Sequence, residues 1–166
     1  MEFNDVVNDK DEVIGTASHK EIYENKLPHR IVHVLIFNSK GEMLLQKRSA
    51  TKSFCPNHWC TAAGGHVQSS ESYEEAAIRE LEEELGISAP VKFMFKTKYY
   101  RSADFFKFLE IFKAVCEGPF EINTDEVESV KWFSKEKLNE EIANGGLFHP
   151  ELKFLLQNYA DEIFAE

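Results

Sequence analysis

Apolar and polar positions along this 166-residue chain change period several times, and the changes mark out its elements. Phe3 to Val7, the polar stretch Asn8-Asp9-Lys10-Asp11 and Glu12 to Thr16 read together as a β-hairpin. A second hairpin is expected from Ile31 to Phe37 and Met43 to Gln46, joined across Asn38 to Gly41. Val91 to Thr97, Phe105 to Val115 and Val127 to Phe133 are rich in β-branched and aromatic residues between turn formers, which predicts three further strands. Three segments follow a helical period instead. Ser72 to Leu85 opens on the capping box Ser72-Tyr73-Glu74-Glu75 and stops at Gly86, where a left-handed cap costs least. Ser134 to Ala143 ends before Asn144-Gly145-Gly146, and Pro150 to Phe164 starts on a proline and carries Leu152, Leu155, Leu156 and Tyr159 on one side. The mixture predicts an α/β architecture. No repeat, low-complexity tract or Pro/Gly-rich linker divides it, so residues 1–166 are expected to form one domain, with 1–28 as an amino-terminal extension built on the first hairpin.

Composition adds that this domain buries a real core: 43% of residues are apolar and 14 are Phe, enough to offset the entropy of ordering the chain. The net charge of −10 argues against an electrostatic grip on a nucleic-acid polymer or an anionic membrane, both of which need clustered Lys and Arg. It does not exclude phosphate, because divalent cations invert the charge of an acidic site. Cys55, Cys60 and Cys116 cannot all pair within the chain and Met1 to Lys10 has no apolar stretch, so a cytoplasmic location is expected. The longest apolar runs, such as Ile31 to Phe37 interrupted by His33, fall far short of the roughly 20 residues of a membrane span. A homodimer is left open.

Chemistry concentrates on the helix from Ser72 to Leu85. Glu80, Glu83 and Glu84 stand at i, i+3 and i+4 and fall on one face, while Ala77, Leu81 and Leu85 form a separate stripe toward a core and Glu82 points to solvent. Glutamate-rich faces are commonly just solvated. Yet like charges so spaced weaken a helix, and a bridging cation reverses that; hard oxygen donors of this kind suit Mg²⁺ or Mn²⁺.

The frame around the glutamates is more specific. Gly65, five residues, Glu71, seven residues and then Arg79-Glu80-Leu81-Glu82-Glu83-Glu84-Leu85-Gly86-Ile87 resembles, at every defined position, the signature box of the Nudix hydrolases. Gly65 is expected to supply a strained turn before the helix, and Glu71 to pair with Arg79 across the loop. The resemblance implies a Nudix-type α/β/α sandwich with a mixed sheet. It implies divalent metal held by Glu80, Glu83, Glu84 and the backbone of Gly64, with Glu83, Glu80 and Arg79 as the catalytic group and a small-molecule diphosphate of the nucleoside diphosphate-X type as substrate. The implied reaction is cleavage of a diphosphate linkage by water. A non-catalytic binding domain is the weaker alternative, since such a domain would normally lose a metal glutamate and all are present.

Beyond the box, Ile14-Gly15, Gln46-Lys47-Arg48-Ser49, Lys52, Trp59, Gly65-His66 and Asp125-Glu126-Val127 before Trp132 are similar to the group around isopentenyl-diphosphate isomerase. That resemblance implies Arg48 and Lys52 on the diphosphate, and His29 and His66 in a metal site whose third position is Ile22 here. Isomerisation is the alternative activity. Against it, the isomerase cysteine preceding Gly-His is Gly64 in this chain, and Cys60 lies four residues earlier, two strand repeats away if the segment is extended. Glu110, inside an apolar strand, is either a further site residue or a solvent-facing one. Phe95, Tyr99 and Tyr100 are read as core rather than as stacking platforms for a substrate.

Overall fold

The computed structural model describes residues 2–165. The elements run β1 (Phe3–Val7), β2 (Val13–Ser18), α1 (His19–Asn25), β3 (His29–Phe37), β4 (Met43–Arg48), β5 (Trp59–Thr61), β6 (Ala63–His66), α2 (Tyr73–Leu85), β7 (Lys92–Ser102), β8 (Phe105–Val115), β9 (Val127–Phe133), α3 (Lys135–Ala143) and α4 (Pro150–Ile163). The three expected helices are present with the expected starts: Ser72 caps α2 in a reciprocal capping box with Glu75, Gly86 closes it at φ 64°, and Ser134 caps α3. A fourth helix, α1, was not anticipated. It follows its own capping box, Ser18 with Glu21, and its seven residues bury Ile22. Short β5 and β6 also escaped the sequence pattern, and β7 runs on to Ser102.

β3 explains the layering. It pairs in parallel with β8 and antiparallel with β4 and β6, which makes the sheet mixed. Because side chains alternate faces along a strand, a strand buried on both sides must be apolar throughout. Val32, Val34 and Ile36 pack with Ala77, Leu81 and Leu85 of α2 on one face. Ile31, Leu35 and Phe37 pack with Leu138 of α3 and Leu152 and Leu155 of α4 on the other. The result is the expected helix, sheet, helix sandwich. The amino-terminal hairpin β1–β2 stands as a separate two-stranded sheet, and with α1 it closes a smaller cluster of Val6, Ala17, Ile22 and Phe105.

The sheet forks beside β3. β4 pairs with β3 only at Ile36–Leu44 and Phe37–Met43, then diverges toward β5 and β9, while β6 takes its place opposite Ile31 to Val34. Ala62, fully buried, is the bend between β5 and β6.

Candidate active site

A cavity of about 780 Å³ lies in this fork, a size suited to a small-molecule ligand. Its walls come from β3, β4, β5, β6, β8 and the end of β7, from α2, and from α1 and the start of α4.

The α2 wall carries the glutamates. Glu84 is buried; Gln46 Nε2 donates to its Oε1 at 2.7 Å and the Gly64 N–H to its Oε2 at 3.2 Å. Burial and the adjoining Glu80 carboxylate push the Glu84 carboxyl well above its usual range, and burial raises Glu80 as well. Glu83 is different. Its side chain is 55% exposed and takes a hydrogen bond from Arg79 Nη1 at 3.2 Å. The three carboxylates share a face of α2, as expected, but no three ligating groups converge on one point among the described residues. Arg79 binds Glu71 through Nε at 2.7 Å and Nη2 at 3.0 Å, the expected pair, and also donates to Glu80 at 2.8 Å and to the His66 carbonyl at 3.1 Å. Its charge is locked on, chiefly by Glu71.

Two glycines have a steric reason to be there, and one differs from expectation. Gly65 is not a strained turn; it sits in strand β6. A Cβ on it would lie 2.5 Å from Glu80 Oε1, so what the position requires is close approach of the carboxylate to the backbone. A Cβ on Gly64 would lie 2.7 Å from the Val32 carbonyl oxygen. The buried Glu84 carboxylate beside the partly buried Glu80 carboxylate, two hard oxygen donors with a glycine that leaves room for one of them, fits a divalent cation.

Arg48 and Lys52 both reach the cavity. Arg48 uses Nε on the Phe54 carbonyl at 3.0 Å and forms no ion pair among the described residues, whereas the Lys52 ammonium is held by Glu126. His66 is also on the wall, with its Nε2 2.8 Å from the Tyr23 hydroxyl and its ring stacked on His29 at 5.4 Å. Burial depresses both rings, His29 to about 4. His19 approaches His66 at 4.8 Å, but the third position of the isomerase metal site, Ile22, is fully buried core.

Glu110 is not brought to the site. It lies on the opposite face of β8 from Lys107, beside Lys96 of β7 at 3.6 Å, because a one-residue step along a strand reverses the side chain. Cys60 requires the reverse correction. The chain bends at Ala62 instead of running straight, which brings Cys60 onto the same cavity as Gly64. Burial pushes its thiol up to about 12, so it is a poor source of thiolate. Phe95 stacks on Tyr159 at 4.3 Å and Tyr99 meets Phe154 edge-on at 5.1 Å, core roles as expected; Tyr100 is exposed.

Sequence reasoning missed half of the wall. His33, Thr61, Lys107, His149 and Glu151 form a buried polar cluster at the α4 end of the cavity. Arg101, also missed, lies between the rings of Tyr23 and Phe54, at 5.1 and 4.9 Å from their centroids. The only signals were single polar residues at inward positions of apolar strands, His33 in β3 and Lys107 in β8.

Comparison with known proteins agrees with this geometry. Residues 27–154 match the model of the NUDIX domain, which leaves β1, β2, α1 and the greater part of α4 outside the matched part. The Nudix hydrolase YfcD of Escherichia coli is 35% identical over 137 residues, covering 82% of this chain and 76% of that one. The Nudix hydrolase lin0387 of Listeria innocua is 38% identical over 123 residues, covering 74% and 72%. The crystal structure of DR0079 from Deinococcus radiodurans superposes with a TM-score of 0.83 at 27% identity, over 94% of this chain and 98% of that one. The MutT protein of Methanosarcina mazei shares the fold, with a TM-score of 0.65 at 23% identity over 80% and 93%. With the box intact on α2, its glutamates on the cavity wall and the domain matched over most of its length, this chain belongs to the Nudix hydrolase family.

Proposed function

We propose that the protein hydrolyses the diphosphate linkage of a small molecule of the nucleoside diphosphate-X type, with Glu80, Glu83 and Glu84 holding Mg²⁺ or Mn²⁺. The observation that carries this reading is the buried Glu84 carboxylate set against the partly buried Glu80 carboxylate on the cavity wall beside Gly64, each held above its usual range chiefly by burial. Two like charges so placed are costly unless a cation or proton neutralises them. When bound, the cation supplies positive charge to phosphate oxygens and acidifies water. The chain's own residues do the rest. Arg79 fixes the loop of Glu71 and restrains Glu80 and Glu83; Arg48, free of any carboxylate among the described residues, can take a non-bridging phosphate oxygen. Glu83, the exposed carboxylate, is the group best placed to accept a proton from attacking water. Lys52 is a weaker phosphate ligand than the sequence suggests, since Glu126 competes for it.

The isomerase alternative has one observation in its favour, the presence of Cys60 in the cavity. Its thiol holds its proton to about pH 12, and at position 64 a cysteine side chain would collide with the Val32 carbonyl. Purified protein with Mg²⁺, screened against nucleoside diphosphates, nucleotide sugars and dinucleotides, should release phosphate, pyrophosphate or nucleotide. Isopentenyl diphosphate in D₂O, followed by NMR, should yield no deuterated dimethylallyl diphosphate; its accumulation at enzymatic rates, abolished by Cys60→Ala, would establish isomerisation instead.

A further inference from the structure

The hydrolysis proposed above makes no use of the polar cluster at the α4 end of the cavity. Lys107 of β8 and Glu151 of α4 form an ion pair at 2.7 Å with side chains only 5% and 7% exposed. The other carboxylate oxygen of Glu151 accepts from His33 Nε2 at 2.9 Å, and His33 Nδ1 meets Thr61 Oγ1 at 2.7 Å. The Glu151 backbone N–H donates to His149 Nδ1 at 3.1 Å, and the carboxylate itself is held at both oxygens, by Lys107 and by His33. Burying such a pair costs more than packing apolar side chains of the same volume would. The Lys107 ammonium has three donors, and among the described residues only the bond to Glu151 meets hydrogen-bonding geometry. A buried cation on a cavity wall with donors to spare is poised for an acceptor from a ligand.

The chemistry of that acceptor follows from the rest of the cavity. On the α2 wall stand the glutamates, and Arg48 also lines the cavity; a cation held by the former and the guanidinium of the latter suit phosphates. At the Lys107 end a hydrocarbon would leave two of the three ammonium donors unmatched, since only the one bonded to Glu151 has a partner among the described residues. A ring bearing carbonyl, ring-nitrogen or hydroxyl acceptors satisfies them, and about 780 Å³ accommodates such a ring together with a diphosphate. We propose that Lys107, held in place by Glu151, is a specificity-determining residue that donates hydrogen bonds to the polar ring of the substrate and selects it over a hydrocarbon. This rests on reading the cavity as the site of diphosphate hydrolysis. Discrimination of this kind, in which a site built for a polar group is left unpaired by an apolar one, is stronger than discrimination by size.

The test uses the full chain, Lys107→Met, and the paired variant Lys107→Met/Glu151→Gln, which leaves no unpaired buried carboxylate if the single variant fails to fold. Hydrolysis rates are measured with uridine diphosphate, ribose 5-diphosphate, methyl diphosphate and isopentenyl diphosphate, and uridine diphosphate binding by calorimetry. Wild type should favour uridine diphosphate over isopentenyl diphosphate by about a hundredfold or more in kcat/KM. In the paired variant the loss with uridine diphosphate, mainly in KM, should exceed that with methyl diphosphate by about tenfold. A loss shared by ribose 5-diphosphate assigns the contact to the sugar, and one confined to uridine diphosphate assigns it to the base. Equal losses on uridine and methyl diphosphates, or a wild type indifferent to the hydrocarbon, would overturn the proposal. If wild type hydrolyses none of the four, the hydrolase reading fails with these substrates; a tenfold weaker Kd for uridine diphosphate in the paired variant still upholds Lys107, and an unchanged Kd or no binding refutes it.

Discussion

Glu83 and Glu84 are neighbours in sequence with opposite environments, one exposed beside Arg79 and the other buried between Gln46 and Gly64. The exposed one can meet water and the buried one can only hold charge. Glu83→Gln is therefore expected to lower hydrolysis about a hundredfold or more with an unchanged fold, because the amide keeps the volume and loses the proton acceptor. Steady-state rates at saturating metal, with circular dichroism as the control for folding, check this; activity within threefold of wild type would exclude Glu83 from the proton transfer.

Two charged pairs, one within α2 and one between β8 and α4, set the tension among the elements. On α2 the Glu80–Glu84 pair is destabilising until neutralised, so millimolar Mg²⁺ should raise the melting temperature relative to chelator, as any ligand specific to the folded state does. Superimposable melting curves, with no heat of binding, would show that the glutamates hold no metal. Between β8 and α4, Lys107 answers the Glu151 carboxylate, which burial would otherwise raise but which Lys107 and His33 hold well below its usual range. Lys107→Met alone leaves that carboxylate buried and unpaired and should cost about 3–5 kcal/mol, whereas adding Glu151→Gln should recover most of it. Urea denaturation of both variants measures the difference; equal stabilities would mean that the pair is not a unit.

For the whole molecule, pH dependence reports which buried groups dominate. His29 and His149 are held near 4 by burial, and His66 is held well below its usual value, so the unfolded chain takes up protons at these positions first as pH falls. Their contribution to stability is complete above about 6.5 and is lost between there and about 4, up to about 3 kcal/mol for each of the two rings near 4. Glu80 and Glu84, raised in the fold, act with the opposite sign and regain stability as they protonate. In chelator the melting temperature should fall from pH 7 to pH 5, and Glu84→Gln, which removes the opposing contribution, should steepen the fall. A rise over that interval would show that the carboxylates, not the histidines, control stability.

The sequence by itself determined the elements and interactions whose parts lie within a few residues of one another. The caps of α2, its split into a core stripe and an acidic face, and the Glu71–Arg79 pair were all legible, because a helix fixes the relation of i to i+3 and i+4 before any tertiary contact forms. The tertiary structure decided which parts of the remaining chain face the cavity. Lys107 and Glu110 belong to one strand, and only the docking of α4 on the odd-numbered face made Lys107 a cavity residue and sent Glu110 elsewhere. The bend at Ala62 likewise returned Cys60 to the site. His33 and Glu151 are 118 residues apart, and each alone looks like an interruption in an apolar strand or an acid in a first helical turn. Strand alternation offers two faces and does not say which one a distant helix will cover; burial of α3 and α4 against Ile31, Leu35 and Leu109 made that choice.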